Sequence, residues 1–287
     1  EGKIVFLGLD IEEDPKCGGL YESGVETSNY ADLKSLVTFE TAVPGESANF
    51  SRFGEGISFD GSDVAFWGGW GNEFETISLC CPVYGNKDRR NYCLYNDTNT
   101  IRDNQTAPAG CASGCYQNKT VPVSQGIFVY NEEDSSLSAI AKGNTKNGTN
   151  FVFWSYSGKP PEAGPSDTHG HRRTEESTET ETEAAEPPRW RSSSSVALAQ
   201  YNSIAYKVKD QDDVGIYHWS GGEVDSGNVI VQTGQNCSTV DDGGVDSNLL
   251  MESMALERDS FRGSRLVVSV ACSLPVTDDD GDDDDDD

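Results

Sequence analysis

Long apolar runs are missing from this chain of 287 residues. No stretch of about 18 or more apolar side chains occurs, so this segment is not expected to insert into a membrane. Basic residues are scarce as well: 21 Lys and Arg stand against 49 Asp and Glu, for a formal net charge of -28. Duplex binding needs clustered Lys and Arg to neutralise phosphates, and no basic stripe exists here, which excludes nucleic acid as a partner. Docking on an anionic membrane surface is disfavoured on the same ground. Histidine occurs three times. His169 and His171 lie in His-Gly-His-Arg-Arg within a polar tract that offers no rigid geometry for a metal or a proton relay. His218 alternates with Ile216 as an ordinary strand residue. No G-x-S-x-G elbow and no cysteine-protease signature occurs. The chain also begins at Glu1 without Met or a charged-then-apolar leader, which reads as a mature or excised piece of a longer parent with further repeats.

What is present points to an oxidising compartment. Eight cysteines occur, at Cys17, Cys80, Cys81, Cys93, Cys111, Cys115, Cys237 and Cys272. An adjacent pair, a lone Cys93 and a C-x3-C with no His nearby do not supply the two close ligand pairs of a structural zinc site. Disulfides using all eight are expected instead, with connectivity open. Most of the five between 80 and 115 should pair within their own segment or to Cys17, and Cys237 is within reach of Cys272. Asn-x-Ser/Thr sequons at Asn49, Asn96, Asn104, Asn118, Asn147 and Asn236 join an even cysteine count. Together they predict a secreted, extracellular or lumenal glycoprotein.

The 11 Tyr, 11 Phe and 5 Trp imply a folded core, and the segments that carry many of them are self-similar. Gly2-Lys-Ile-Val-Phe-Leu-Gly8, Ser62-Asp-Val-Ala-Phe-Trp-Gly68, Asn202-Ser-Ile-Ala-Tyr-Lys-Val208 and Ser264-Arg-Leu-Val-Val-Ser-Val270 superpose as a turn followed by a short strand. Gly19-Leu-Tyr21, Gly126-Ile-Phe-Val-Tyr130 and Gly215-Ile-Tyr-His-Trp219 follow the first three. Then come Leu36–Phe39, Leu137–Ala141 and Val229–Gln232. The unit is a β-meander with a polar turn and a return strand.

The markers Ile4, Val64, Ile204 and Leu266 are 60, 140 and 62 residues apart, so the middle unit holds insertions. One is Cys-rich, residues 76–125. The other is polar, residues 158–195, and contains Thr174-Glu-Glu-Ser-Thr-Glu-Thr-Glu-Thr-Glu183. The chain thus divides into β repeats over 1–157 with the Cys-rich loop inside, a low-complexity disordered insertion over 158–195, continuing repeats over 196–275, and an acidic tail over 276–287. The fold class is all-β: propeller-like or stacked β-meander repeats of about 60 residues, because such meanders bury both faces only by stacking on neighbours.

Ser35-Leu-Val-Thr-Phe-Glu-Thr-Ala-Val-Pro-Gly45, Asn49-Phe-Ser-Arg-Phe-Gly54 and Ile57-Ser-Phe-Asp-Gly-Ser-Asp-Val-Ala-Phe66 resemble the tandem-repeat proteins with an N-x-x-G-x-x-A-F motif. Those proteins share "Gly-Ile-Tyr" strands, a Thr-x-x-Pro-Gly close and a Phe-x-x-Phe-Gly stretch in the same order. The resemblance covers the repeats within 1–157 and 196–272. No copy here has the leading Asn, Gly61 is offset by one residue, and only the first unit keeps Pro44-Gly45. It implies a secreted or surface-anchored, propeller-like protein and supplies no catalytic residues.

Candidate chemistry is thin. The expected function is a binding or structural role for a protein or glycan ligand, without an evident catalytic site. The alternative is a sialidase-like glycoside hydrolase on a similar scaffold, which needs two carboxylates about 5–10 Å apart; Ser58–Trp67 loosely resembles the Asp-box turn of such propellers. Asp210-Gln-Asp-Asp-Val-Gly215 begins like a calcium loop but has Gly221 where the bidentate Glu belongs, so a polar hairpin turn is expected. Asp241–Asp246 is read as a turn too. No cofactor is expected beyond loose Ca²⁺ association with the poly-Asp tail. Trp67, Trp70 and Trp154 could form a binding platform, though burial in the core is their more frequent fate.

Overall fold

A computed structural model describes residues 3–10, 16–24, 33–81, 83, 87–108, 111, 113–143, 151–153, 196–199, 203–210, 213–239, 248–256, 261–262 and 264–274. The polar insertion, the acidic tail, His169, His171, Asn147, Trp154 and Asp241–Asp246 lie outside them. The described chain is nearly all β. Its strands are β1 (Lys3–Leu9), β2 (Gly18–Gly24), β3 (Lys34–Thr38), β4 (Phe50–Phe59), β5 (Asp63–Cys80), β6 (Ile101–Arg102), β7 (Cys115–Asn131), β8 (Ser136–Lys142) and β9 (Phe151–Val152). They continue as β10 (Val196–Ala199), β11 (Ser203–Asp210), β12 (Asp213–Trp219), β13 (Asn228–Gln232), β14 (Leu250–Ala255), β15 (Phe261–Arg262), β16 (Arg265–Leu266) and β17 (Ser269–Ser273). Helix is confined to short turns at Lys87–Asn91, Tyr92–Asn96 and Cys237–Thr239.

Three antiparallel meanders form. Sheet 1 is β1-β2-β3; sheet 2 runs β4-β5-β7 with β8 and β6 on β7; sheet 3 is β10-β11-β12-β13 with β9 on β11. A fourth unit consists of the pairs β14-β17 and β15-β16. Three of the four superposable segments occupy the same place in their ladders, whereas the fourth, Ser264–Val270, is split between β16 and β17. Phe6 faces Tyr21, Phe66 faces Phe128 and Tyr206 faces Tyr217 across the first two strands. Their rings lie 6.0, 5.7 and 5.7 Å apart. One step further on, each second strand shifts register against its third strand, at Leu20/Tyr21, Ile127/Phe128 and Ile216/Tyr217.

Each second strand carries a glycine just before that bulge, Gly19, Gly126 and Gly215. A Cβ at Gly19 would stand 2.3 Å from the Val37 carbonyl oxygen, and one at Gly126 would stand 2.5 Å from that of Ala141. A larger residue at either place would force the third strand away.

The alternation of side chains along each strand builds the stack. Val64 and Phe66 face sheet 1 and share a core with Leu20, Val37 and Phe50, while Val5 and Leu7 pack against it from β1. Ala65 and Trp67 point the other way, into a core with Ile204, Tyr206, Val196 and Leu198 of sheet 3. On the far side of sheet 3, Ala205 and Ile216 meet Met251, Met254 and Phe261, with Leu266 and Val268 packed alongside. A strand sandwiched between two sheets is apolar on both faces, which is why the first half of β5 is continuously buried. At the stack's inner side, Leu198 N donates to Ser58 Oγ at 3.0 Å and ties β10 to β4.

The Cys-rich insertion is less of a loop than its sequence predicts. The β5–β7 ladder continues from Phe74 opposite Pro122 to Cys80 opposite Tyr116, so strand persists well into the segment. Beyond Cys80, β6 returns to pair with the start of β7. Alternating Thr, Ile and Val at Thr76, Ile77, Thr120 and Val121 supply the strand propensity that the cysteines and asparagines obscure.

Candidate functional site

Cysteine pairing fixes the end of that hairpin. Cys80 bonds to Cys111 and Cys81 to Cys93, and Cys237 bonds to Cys272 within the fourth unit. Six cysteines are thus paired rather than all eight. Cys17, exposed beside β2, and Cys115, half-buried, are free thiols. Five cysteines in one segment leave one over, and Cys115 packs against the Cys81–Cys93 pair whose sulfurs already have partners.

Polar satisfaction holds the rest of the insertion. Arg102 donates to the carbonyls of Leu94, Thr100 and Asp97 at 3.2, 3.1 and 3.3 Å. Gln117 Nε2, buried, donates to Asp97 Oδ2 at 2.5 Å and to Thr100 Oγ1 at 2.9 Å. Asp103 accepts from Gln105 N at 2.9 Å and from Thr106 Oγ1 at 3.0 Å, bonds that hold its carboxyl below the usual range. A segment with so little apolar surface is ordered by disulfides and charge-assisted hydrogen bonds in place of a core.

This hairpin and the edge of sheet 3 border a half-open cavity of about 650 Å³. Glu75, Ile77, Ser78 and Leu79 of β5 and Val123 of β7 form one wall; Thr106 and Pro108 form a second; Phe151, Val152 and Lys209 form the third. The walls expose polar and apolar surface in about equal measure, with opposite charges supplied by Glu75 and Lys209. Thr106 is fixed by its hydroxyl contact with Tyr116 Oη at 2.8 Å, and Ser78 Oγ donates to Asn118 Oδ1 at 2.8 Å. Lys119 stands opposite Ile77 in the ladder, and burial pushes its ammonium pKa down to about 8.

The residues singled out in the sequence scatter away from this cavity. Trp67 and Trp70 are core residues: Trp67 Nε1 donates to Gln125 Oε1 at 3.2 Å, and Trp70 packs edge-on to Phe128 with Lys142 Nζ 5.6 Å above its ring. His218 lies on β12 with its ring edge-on to Phe261 at 5.5 Å. Asp60, Gly61 and Ser62 make the tight β4–β5 turn, where Asp60 Oδ1 accepts from Ser62 N and Asp63 N. Asp210 is paired with Asp213 in the β11–β12 ladder, and Gln211 and Asp212 of the calcium-like stretch lie outside the described residues. No group of three or more potential metal ligands occurs among the described residues.

The sequons at Asn49, Asn96, Asn104 and Asn118 are exposed, while Asn236 is half-buried and its Oδ1 accepts from Ser238 N and Ser238 Oγ. Pro44-Gly45 forms a turn with Gly45 at φ 77°, held by Lys142 Nζ, which donates to Pro44 O and pairs with Glu46, both at 2.7 Å.

Two clusters carried no sequence signal. The cavity joins residues from three distant segments, none of which forms a motif. The second is a pair of carboxylates bridged by an ammonium: Lys3 Nζ lies 2.9 Å from Glu22 and 2.6 Å from Glu132, and Lys34 Nζ lies 3.6 Å from Glu22. Burial pushes the Glu22 carboxyl up, but hydrogen bonds to Lys3 and Glu132 together with the charges of Lys3 and Lys34 outweigh it and keep the group below the usual range. Held ionised, Glu22 is an acceptor and offers no proton to a leaving group.

No protein-family model, curated protein or solved structure matches the chain. No helix among the described residues is long and apolar enough to cross a membrane.

Proposed function

We propose that the chain is an extracytoplasmic β-repeat binding domain, in which stacked meanders act as a frame and the disulfide-stapled hairpin shapes the recognition site. The observation that supports the reading is the cavity of about 650 Å³ between hairpin and frame, a size and a mixed polar and apolar lining that suit a small ligand or a short stretch of a larger one. Glu75 and Lys209 set opposite charges around the apolar side chains of Ile77, Leu79, Val123, Phe151 and Val152. That arrangement favours an amphipathic ligand carrying both signs of charge, such as a peptide segment, over a neutral lipid. Glu75 is the single carboxylate lining the cavity among the described residues, and glycoside hydrolysis uses two. Three disulfides and four exposed sequons support passage through a secretory lumen.

Saturation-transfer NMR with mixtures of short zwitterionic peptides and of neutral oligosaccharides tests the reading. Peptide signals should appear with the native chain and vanish with Val152→Trp, which fills the cavity. Signals that survive Val152→Trp unchanged, or no peptide signal at all, would place recognition elsewhere.

A further inference from the structure

The cysteines at the end of the hairpin are placed for exchange as well as for stapling. Cys80 is opposite Tyr116 at the last rung of the β5–β7 ladder, and one residue further Cys81 N donates to Cys115 O at 2.7 Å. Cys81 and Cys115 therefore stand side by side on neighbouring strands with their side chains on one face, while Cys80 points to the other. Cross-strand neighbours have Cα atoms about 4.5–5.5 Å apart, inside the range a disulfide spans, so a Cys81–Cys115 bond needs no movement of the strands. Cys81 is instead joined to Cys93, and the free Cys115 thiol packs against that pair.

A buried hydroxyl is aimed at the same two sulfurs. Thr100 Oγ1 lies 4.0 Å from Cys81 Sγ and 3.9 Å from Cys93 Sγ. The sulfurs of a disulfide carry no hydrogen, so the hydroxyl is the donor. Gln117 Nε2 donates into the same oxygen at 2.9 Å and is itself held by Asp97, which leaves the Thr100 hydrogen directed at the sulfurs. Disulfide sulfur is a weak acceptor and gains little from such a donor, whereas a thiolate gains a charge-assisted hydrogen bond. We propose that Cys115, Cys81 and Cys93 form a thiol–disulfide exchange site. The Cys115 thiolate attacks Cys81 Sγ; the Cys81–Cys115 bond forms, the Cys81–Cys93 bond breaks, and the electron pair leaves on Cys93 Sγ, where the Thr100 hydroxyl receives it. One thiolate and one disulfide stand on each side of the step, so no oxidant or reductant is consumed. Exchange frees the helical turn Tyr92–Asn96 from the strand end. Cys80–Cys111, whose Cys80 points to the other face, keeps its partner and still ties down the stretch that carries the cavity residues Thr106 and Pro108.

Thiol mapping of the full chain, without reductant, tests the exchange. Protein held at about pH 8 is quenched in acid, alkylated with N-ethylmaleimide in denaturant at mildly acidic pH and digested, and mass spectrometry identifies the linked and alkylated peptides. Cys81–Cys93 and Cys81–Cys115 links should both appear, with Cys115 alkylated in the first form and Cys93 in the second. Thr100→Val should lower the share of alkylated Cys93 several-fold, and Thr100→Ser, which keeps the hydroxyl, should restore it. Cys115→Ser should leave the Cys81–Cys93 link alone, with Cys93 unalkylated. The mapping of the native chain decides by itself if Thr100→Val loses its fold. A Cys81–Cys93 link alone with alkylation confined to Cys115, alkylation spread to Cys80 and Cys111 as general scrambling would give, a Cys115 paired with Cys17, or a folded Thr100→Val with an unchanged share of alkylated Cys93 would each overturn the proposal.

Discussion

Truncating the same aromatic in two successive sheets should have very different costs. Phe66 is fully buried and touches three rings: it stacks on Phe128 at 5.7 Å and lies tilted to Phe50 and Phe53, each at 5.9 Å. Phe66→Ala leaves a cavity between two sheets that cannot close without breaking the β5 ladders on both sides. The loss should be about 3–5 kcal/mol, the range for a buried aromatic. Phe6 occupies the equivalent rung, but solvent reaches 37% of it and its ring partner is Tyr21 at 6.0 Å. Phe6→Ala removes partial burial and leaves no enclosed void, so about 1–2 kcal/mol is expected. Urea unfolding measures both on one scale. Equal losses to within about 0.5 kcal/mol would refute the reasoning, because they would mean that the upstream face of sheet 1 is covered like the others.

Replacing Cys237 and Cys272 together by Ala opens a bond of sequence separation 35, and the loop-entropy relation puts the loss at about 3–4 kcal/mol, measurable by calorimetry. Lys119 has a native pKa of about 8 against 10.5 for the free side chain, so between those values the unfolded chain holds the extra proton and stability rises with pH. Denaturation at pH 8 and pH 10 should show that rise in the native chain and not in Lys119→Met, which should also be the more stable of the two at pH 7. Expression through a secretory pathway followed by peptide mass spectrometry should find glycans at Asn49, Asn96, Asn104 and Asn118, with Asn236 least occupied because it is half-buried. Unmodified asparagines at all four exposed sites would count against the secretory reading.

The local pattern of this sequence was enough to set its strands. Short β-branched and aromatic segments ending in Gly, Asn and Asp turns specify antiparallel meanders, because strand alternation and turn chemistry act over a few neighbouring residues. Recurrence of those segments near a 60-residue spacing also required stacking, since Val64 and Ala65 are both apolar and a strand apolar on both faces needs a cover on each. The tertiary structure decided what depends on distant partners. Disulfide pairing was one such matter: five cysteines between 80 and 115 had several compatible pairings, and the ladder that sets Cys80 beside Tyr116 chose among them. The extent of the strands in the Cys-rich segment was another, because Thr76–Cys80 extends only once it can pair with Tyr116–Thr120. The cavity was a third. Glu75, Pro108, Phe151 and Lys209 belong to segments that share no motif, and they meet only where the stapled hairpin borders the edge of sheet 3. Contacts within a few residues leave a periodic mark on the chain, whereas a wall assembled from three separate segments leaves none.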